Sequence, residues 1–154
     1  MATTQKTTEG TLSSVLAAEK EWLRGPAVAR YTHCLMNGDY TRAAGIATTA
    51  KLEEGEKRVA ATKAYETCFA NGRFFANGHG WNGLSLRAAE IARDFKLGTE
   101  KVTTAAEEAC KECIIYGDYS AAAETARKFG LGQGVIGEIE RLAELKILIP
   151  LIRT

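Results

Sequence analysis

Cys110 and Cys113 stand three residues apart, His33 adjoins Cys34, and His79 lies in the glycine-rich run CFANGRFFANGHGWNG, Cys68 to Gly83. Thiolates and imidazoles at short spacing are the raw material of metal and redox sites. Structural zinc, however, needs a second pair of ligands to close its tetrahedron, and the chain has no second Cys-x-x-Cys. Cys34, Cys68 and Cys113 also recur at matching points of an internal repeat, where a small buried packing residue suffices. No metal site and no cofactor is therefore expected. A thiol such as Cys68 beside His79 would be the one nucleophile–base pair available, and no acidic partner for either histidine stands nearby in sequence. There is no nucleophile elbow, phosphate loop or His-Glu-x-x-His. GLGQG, Gly130 to Gly134, follows a helical pattern rather than a strand, so a dinucleotide reading fails. The chain is read as a non-enzyme.

The elements that would position these residues come from a repeat. Cys34 to Leu52, CLMNGDYTRAAGIATTAKL, aligns with Cys113 to Leu131, CIIYGDYSAAAETARKFGL. The middle copy begins CFANGRF at Cys68 and resumes as LSLRAAEIARDFKL, ending at Leu97. Cys34 to Cys68 is 34 residues and Cys68 to Cys113 is 45, the excess being 11 residues, Arg73 to Gly83, inserted at the turn. Each copy reads as two Ala-, Leu- and charge-rich helices around a glycine turn. Ala43, Ala44, Ala47 and Ala50 form a helical stripe, repeated by Ala88, Ala89, Ala92, Phe95 and by Ala122, Ala123, Ala126, Phe129. Small residues there let helix axes approach. Gly38, Gly72 and Gly117 are expected to end the first helices in the left-handed conformation, with Asp39 and Asp118 capping the second.

The start and stop signals predict about eight helices. An N-terminal helix near Leu12 to Arg24 breaks at Gly25-Pro26, pairs follow near 27–52, 56–97 and 99–130, and a last helix runs near Gln133 to Ile149. Residues 1–10 read as a tail and 11–154 as one all-α repeat domain, with repeats near 24–55, 58–100 and 103–134. Stacked in order, the three hairpins make a short α-solenoid between N- and C-terminal capping helices.

A 34-residue helical hairpin with Gly-Asp-Tyr-x-x-Ala at its turn resembles a tetratricopeptide repeat. Gly38-Asp39-Tyr40 with Ala43, and Gly117-Asp118-Tyr119 with Ala122, carry the resemblance. The family's first-helix Trp and Leu-Gly are absent, and Gly55 and Gly134 stand at its closing Pro, which makes the array a divergent one. The resemblance implies a right-handed solenoid whose first helices line a peptide-binding groove. Its positions fall on Thr32, Leu35 and Met36, on Glu66 and Phe69, and on Lys111, Ile114 and Ile115.

These features point to a protein-interaction module or adaptor. It would bind an apolar peptide or helix in the groove, rimmed by the 73–83 loop with Phe74, Phe75, His79 and Trp81 as aromatic anchors. Leu35, Phe69 and Ile114 have core packing as their competing role, and the loop aromatics could fold back on the hairpin end. The alternative function is an RNA- or single-strand-binding helical repeat using second-helix cations such as Arg42, Arg87 and Arg127. Acidic residues interleave with them and the net charge is only +1, so nucleic acid is disfavoured. No run is apolar enough to span a membrane, and no signal peptide opens the chain, so a cytoplasmic location with reduced cysteines is expected. The apolar end, Ile147, Leu148, Ile149, Leu151 and Ile152, either wraps back onto the stack or pairs two copies as a homodimer.

Overall fold

A computed structural model describes residues 11–76 and 83–152. Every regular element among them is an α-helix. The seven are α1 (Leu12–Asn37), α2 (Tyr40–Thr49), α3 (Glu54–Ala76), α4 (Leu84–Asp94), α5 (Thr99–Ile115), α6 (Tyr119–Lys128) and α7 (Gln133–Ile152). Residues 1–60 and 61–154 form two compact units, the division falling inside α3.

The turns are built as the repeat requires. Gly38 and Gly117 are left-handed, at φ 73° and 74°. In both, the amide of the following Asp bonds back to the repeat cysteine: Asp39 to the carbonyl of Cys34 at 2.9 Å, Asp118 to that of Cys113 at 2.8 Å. Asp39 then accepts from the amide of Arg42 at 3.1 Å and Asp118 from that of Ala121 at 3.0 Å, capping α2 and α6. The second helices also end alike. Leu52, Leu97 and Leu131 each bond, at 2.9 Å, to the carbonyl five residues earlier, past a left-handed Lys51, Lys96 or Gly130. This is the hydrogen-bond pattern of a Schellman motif.

Two helix boundaries within the repeats differ from the sequence expectation, and α7 runs through Pro150 to Ile152 rather than ending near Ile149. The first is at Gly25-Pro26, where α1 runs unbroken with Pro26 inside it, so helix one and the first helix of copy one are a single element. Proline removes one hydrogen bond, the one to the carbonyl of Trp22, and Trp22 is exposed, where water can satisfy it. The second is at Gly72. It does not end α3, which continues four residues into the inserted segment. Gly72 is instead a buried helical glycine. A Cβ there would stand 2.8 Å from the amide nitrogen of Ser85. The residue is glycine because α4 begins against it, not because the chain turns.

In the first unit, α1 packs on α2, burying Tyr31, Cys34 and Leu35 with Ala43, Ala47 and Leu52. Arg24 ties its ends together by donating to the carbonyl of Lys51 at 2.7 Å and pairing with Glu56. In the second unit, α4 packs on α5, α5 on α6 and α6 on α7. The alanine stripes of α4 and α6 face inward, Ala88, Ala89 and Ala92, then Ala122, Ala123 and Ala126, being buried, whereas in the expected stripe of α2 Ala43 and Ala47 are buried and Ala44 is exposed. The last core cluster joins Cys110 and Cys113 to Ile136 and Ile139 of α7.

Candidate interaction surface

Helix α7 has two apolar faces. Ile136 and Ile139 are buried against α6. Further along, Lys146 donates to the carbonyl of Gly117 and lies 5.3 Å from the ring centre of Tyr119, which sets this part of α7 at the α5–α6 turn. The neighbours of Lys146 do not turn inward: Leu145 is 52% exposed, Ile147 69% and Leu148 48%. Leu142 is exposed on the same helix, and Ile115 and Tyr116 stand exposed just ahead of Gly117. The end of the second unit therefore exposes apolar side chains both on α7 and at the end of α5. Of the expected homodimer residues, Ile147 and Leu148 belong to this surface and do not wrap back. The side chains of Leu151 and Ile152 lie outside the described residues.

The other expected site residues differ in exposure. Thr32 and Leu35 are interior; Leu35 is 1% exposed, and the Thr32 hydroxyl donates to the carbonyl of Val28 at 2.9 Å. Met36 is half-buried. Phe69 is half-buried and stacks on Tyr65 at 5.7 Å between ring centres, while Glu66 is exposed. Lys111 is exposed and pairs with Glu108 at 2.8 Å, and Ile114 packs against the last core cluster. His79 and Trp81 lie outside the described residues, as do the side chains of Phe74 and Phe75.

The basic second-helix positions are largely committed within the chain. Arg87 and Lys128 share Glu90, each at 2.7 Å, Arg93 pairs with Asp94 at 3.0 Å, and Arg127 pairs with Glu140. A phosphate backbone would have to displace these carboxylates. A polar pocket of about 400 Å³ opens at the start of α5, but the Tyr65 hydroxyl on its wall already donates to the Lys101 carbonyl at 3.3 Å, and the Lys101 amine lies over the Tyr65 ring.

All four cysteines are buried and none is in a disulfide. Burial pushes the thiols of Cys68 and Cys110 up to about 11, and raises that of Cys113 as well, which suits packing and opposes nucleophilic or ligand chemistry. One group escaped the sequence reading. Glu112 is 1% exposed; its Oε1 accepts from the buried Ser85 hydroxyl and its Oε2 has no hydrogen-bond partner. Burial raises its pKa, the Ser85 hydrogen bond opposes that, and Glu108 adds to it. The only sequence signal was its place directly before the repeat cysteine, on the inward side of α5.

None of the described helices is long and apolar enough to cross a membrane. No protein-family model matches the chain, and no curated protein or solved structure matches it either.

Proposed function

We propose that this chain is a protein-interaction module, a divergent tetratricopeptide-like array of helical hairpins whose end presents an apolar docking surface. The observation that carries the reading is the second face of α7. Leu142, Leu145 and Leu148, three residues apart, stand exposed on a helix that already buries Ile136 and Ile139, and Ile147, eleven residues on from Ile136, is exposed beyond the buried part of that first face. In the repeat, α7 occupies the place of a fourth first helix, and the first helices α1 and α5 are covered by the second helices α2 and α6. The open face of α7 is where such a helix would pack, so an apolar helix or segment from a protein partner suits it. The matched turns at Gly38-Asp39 and Gly117-Asp118, with their equivalent hydrogen bonds, support the repeat on which this rests.

The test is the double variant Leu145→Asp with Leu148→Asp. Capture from cell extract with identification of bound proteins, alongside sedimentation over a concentration series, should show a protein partner or self-association for the parent chain. The variant should lose both while melting at the parent temperature, because neither leucine is part of the core. A parent chain that stays monomeric and captures nothing the variant does not would refute the reading.

A further inference from the structure

The first unit holds a cleft of about 430 Å³ between α1 and α2. Its walls are small and mostly apolar, Ala27, Gly45, Ile46 and Ala50, and it also carries Arg30 and Arg42. Both arginines are exposed, and among the described residues neither side chain has an ion-pair or hydrogen-bond partner.

The repeat shows what this copy lacks. Aligning Ala43-Ala44 with Ala88-Ala89 sets Arg42 on Arg87 and Gly45 on Glu90. In the second copy Arg87 reaches Glu90, one turn on, at 2.7 Å. The third copy also has an acid at this position, Glu124, but carries Ala121 where the arginine would stand. Only the first copy keeps the arginine and replaces the carboxylate with glycine. The fold does not ask for that glycine: Gly45 lies inside α2, its φ is not left-handed, and no atom would lie within 4 Å of an added Cβ. A helical glycine without a steric reason costs about 1 kcal/mol relative to alanine.

We propose that the α1–α2 cleft binds an acidic peptide segment. One Asp or Glu carboxylate of the partner takes on Arg42 and Arg30 the place that Glu90 takes on Arg87, and an apolar side chain next to it lies over Gly45 and Ile46. A guanidinium presents a fork of donors that matches a carboxylate. A nucleic-acid strand fits less well, because two cations above an apolar floor do not make a phosphate track. This site shares no residue with the α7 surface, and the proposal does not depend on it.

The experiment uses the full chain and a fluorescein-labelled peptide, acetyl-Gly-Leu-Glu-Leu-Gly-amide. Its counterpart with Gln for Glu and a labelled oligouridylate serve as competing probes. The acidic peptide should bind at low salt, and at least about tenfold more tightly than the Gln peptide or the oligouridylate. Arg42→Gln should weaken it about tenfold. Gly45→Glu, which restores the internal acid of the other copies, should abolish binding without lowering the melting temperature. Gly45→Ala, a control for helix propensity, should still bind. The Leu145→Asp, Leu148→Asp variant should bind as the parent does, so the two readings can fail separately. Equal binding of the acidic and Gln peptides, binding unmoved by Arg42→Gln and Gly45→Glu, or tighter binding of the oligouridylate would overturn the proposal.

Discussion

Lys96 sits at φ 52° and Lys51 at φ 51°, at the left-handed position that Gly130 fills in the third copy. A side chain there costs about 1–2 kcal/mol, because Cβ crowds the neighbouring carbonyl, and glycine avoids it. The Leu97 amide bonds to the Ala92 carbonyl on the far side of this residue, so the conformation is fixed by its surroundings rather than by the lysine. Lys96→Gly should therefore raise stability by about 1 kcal/mol and the melting temperature by a few degrees, read by thermal unfolding. An unchanged or lower melting temperature would show that the lysine side chain contributes more than its backbone strain costs. At this scale the sequence was readable where one residue type has one physical use. Asp39 and Asp118 follow a glycine and precede a helix, and both cap it. Glu112 was opaque because a glutamate in a helix ordinarily faces water, and only packing against α4 reveals that this one does not.

Among the helices, glycine has two uses that look alike in sequence: a positive φ and the absence of a Cβ. Gly38 and Gly117 serve the first, Gly72 the second. For that reason the spacing of the insertion could be read from the sequence while the end of α3 could not. The same ambiguity hid the continuity of α1, since a Gly-Pro pair reads as a stop although an exposed proline removes only one helical hydrogen bond. The alanine stripes, by contrast, needed little beyond periodicity: Ala88, Ala89, Ala92 and Ala122, Ala123, Ala126 are buried, and in the first copy Ala43 and Ala47 are, while Ala44 is exposed. One substitution made at two helical glycines separates these cases. Gly72→Ala drives a methyl toward the backbone of Ser85 and should cost about 3 kcal/mol, since backbone cannot yield as a flexible side chain does. Gly45→Ala enters open space and should gain about 0.5–1 kcal/mol. Urea unfolding midpoints at constant slope would show opposite signs, and a Gly72→Ala protein as stable as its parent would mean that α4 is not held against α3 there.

At the scale of the whole molecule, the groups among the described residues whose proton affinity moves all move in one direction. Burial raises Glu112, Cys68, Cys110 and Cys113, and also raises Tyr31 and Tyr65, each aided by nearby glutamates. An acid that holds its proton more tightly folded than unfolded makes stability fall as pH rises, because the unfolded chain gives up the proton first. The stability these groups contribute is complete below their unfolded pKa values and is lost upward through the folded ones. Glu112 opens the window just above its ordinary 4.5. The thiols of Cys68 and Cys110 follow between 9.0 and about 11, a difference corresponding to roughly 3 kcal/mol for each. Urea unfolding from pH 5 to 11 should therefore show stability falling first across the Glu112 window and again above pH 9. Glu112→Gln keeps a carbonyl to accept from Ser85 but cannot ionise, so it should flatten the first fall and leave the second. Cys68→Ala loses packing at every pH and should make the second fall shallower. A parent profile that stays level from just above 4.5 up to the thiol range, or one that Glu112→Gln leaves unaltered, would mean that Glu112 carries its charge inside the fold, with its second oxygen hydrated rather than dry.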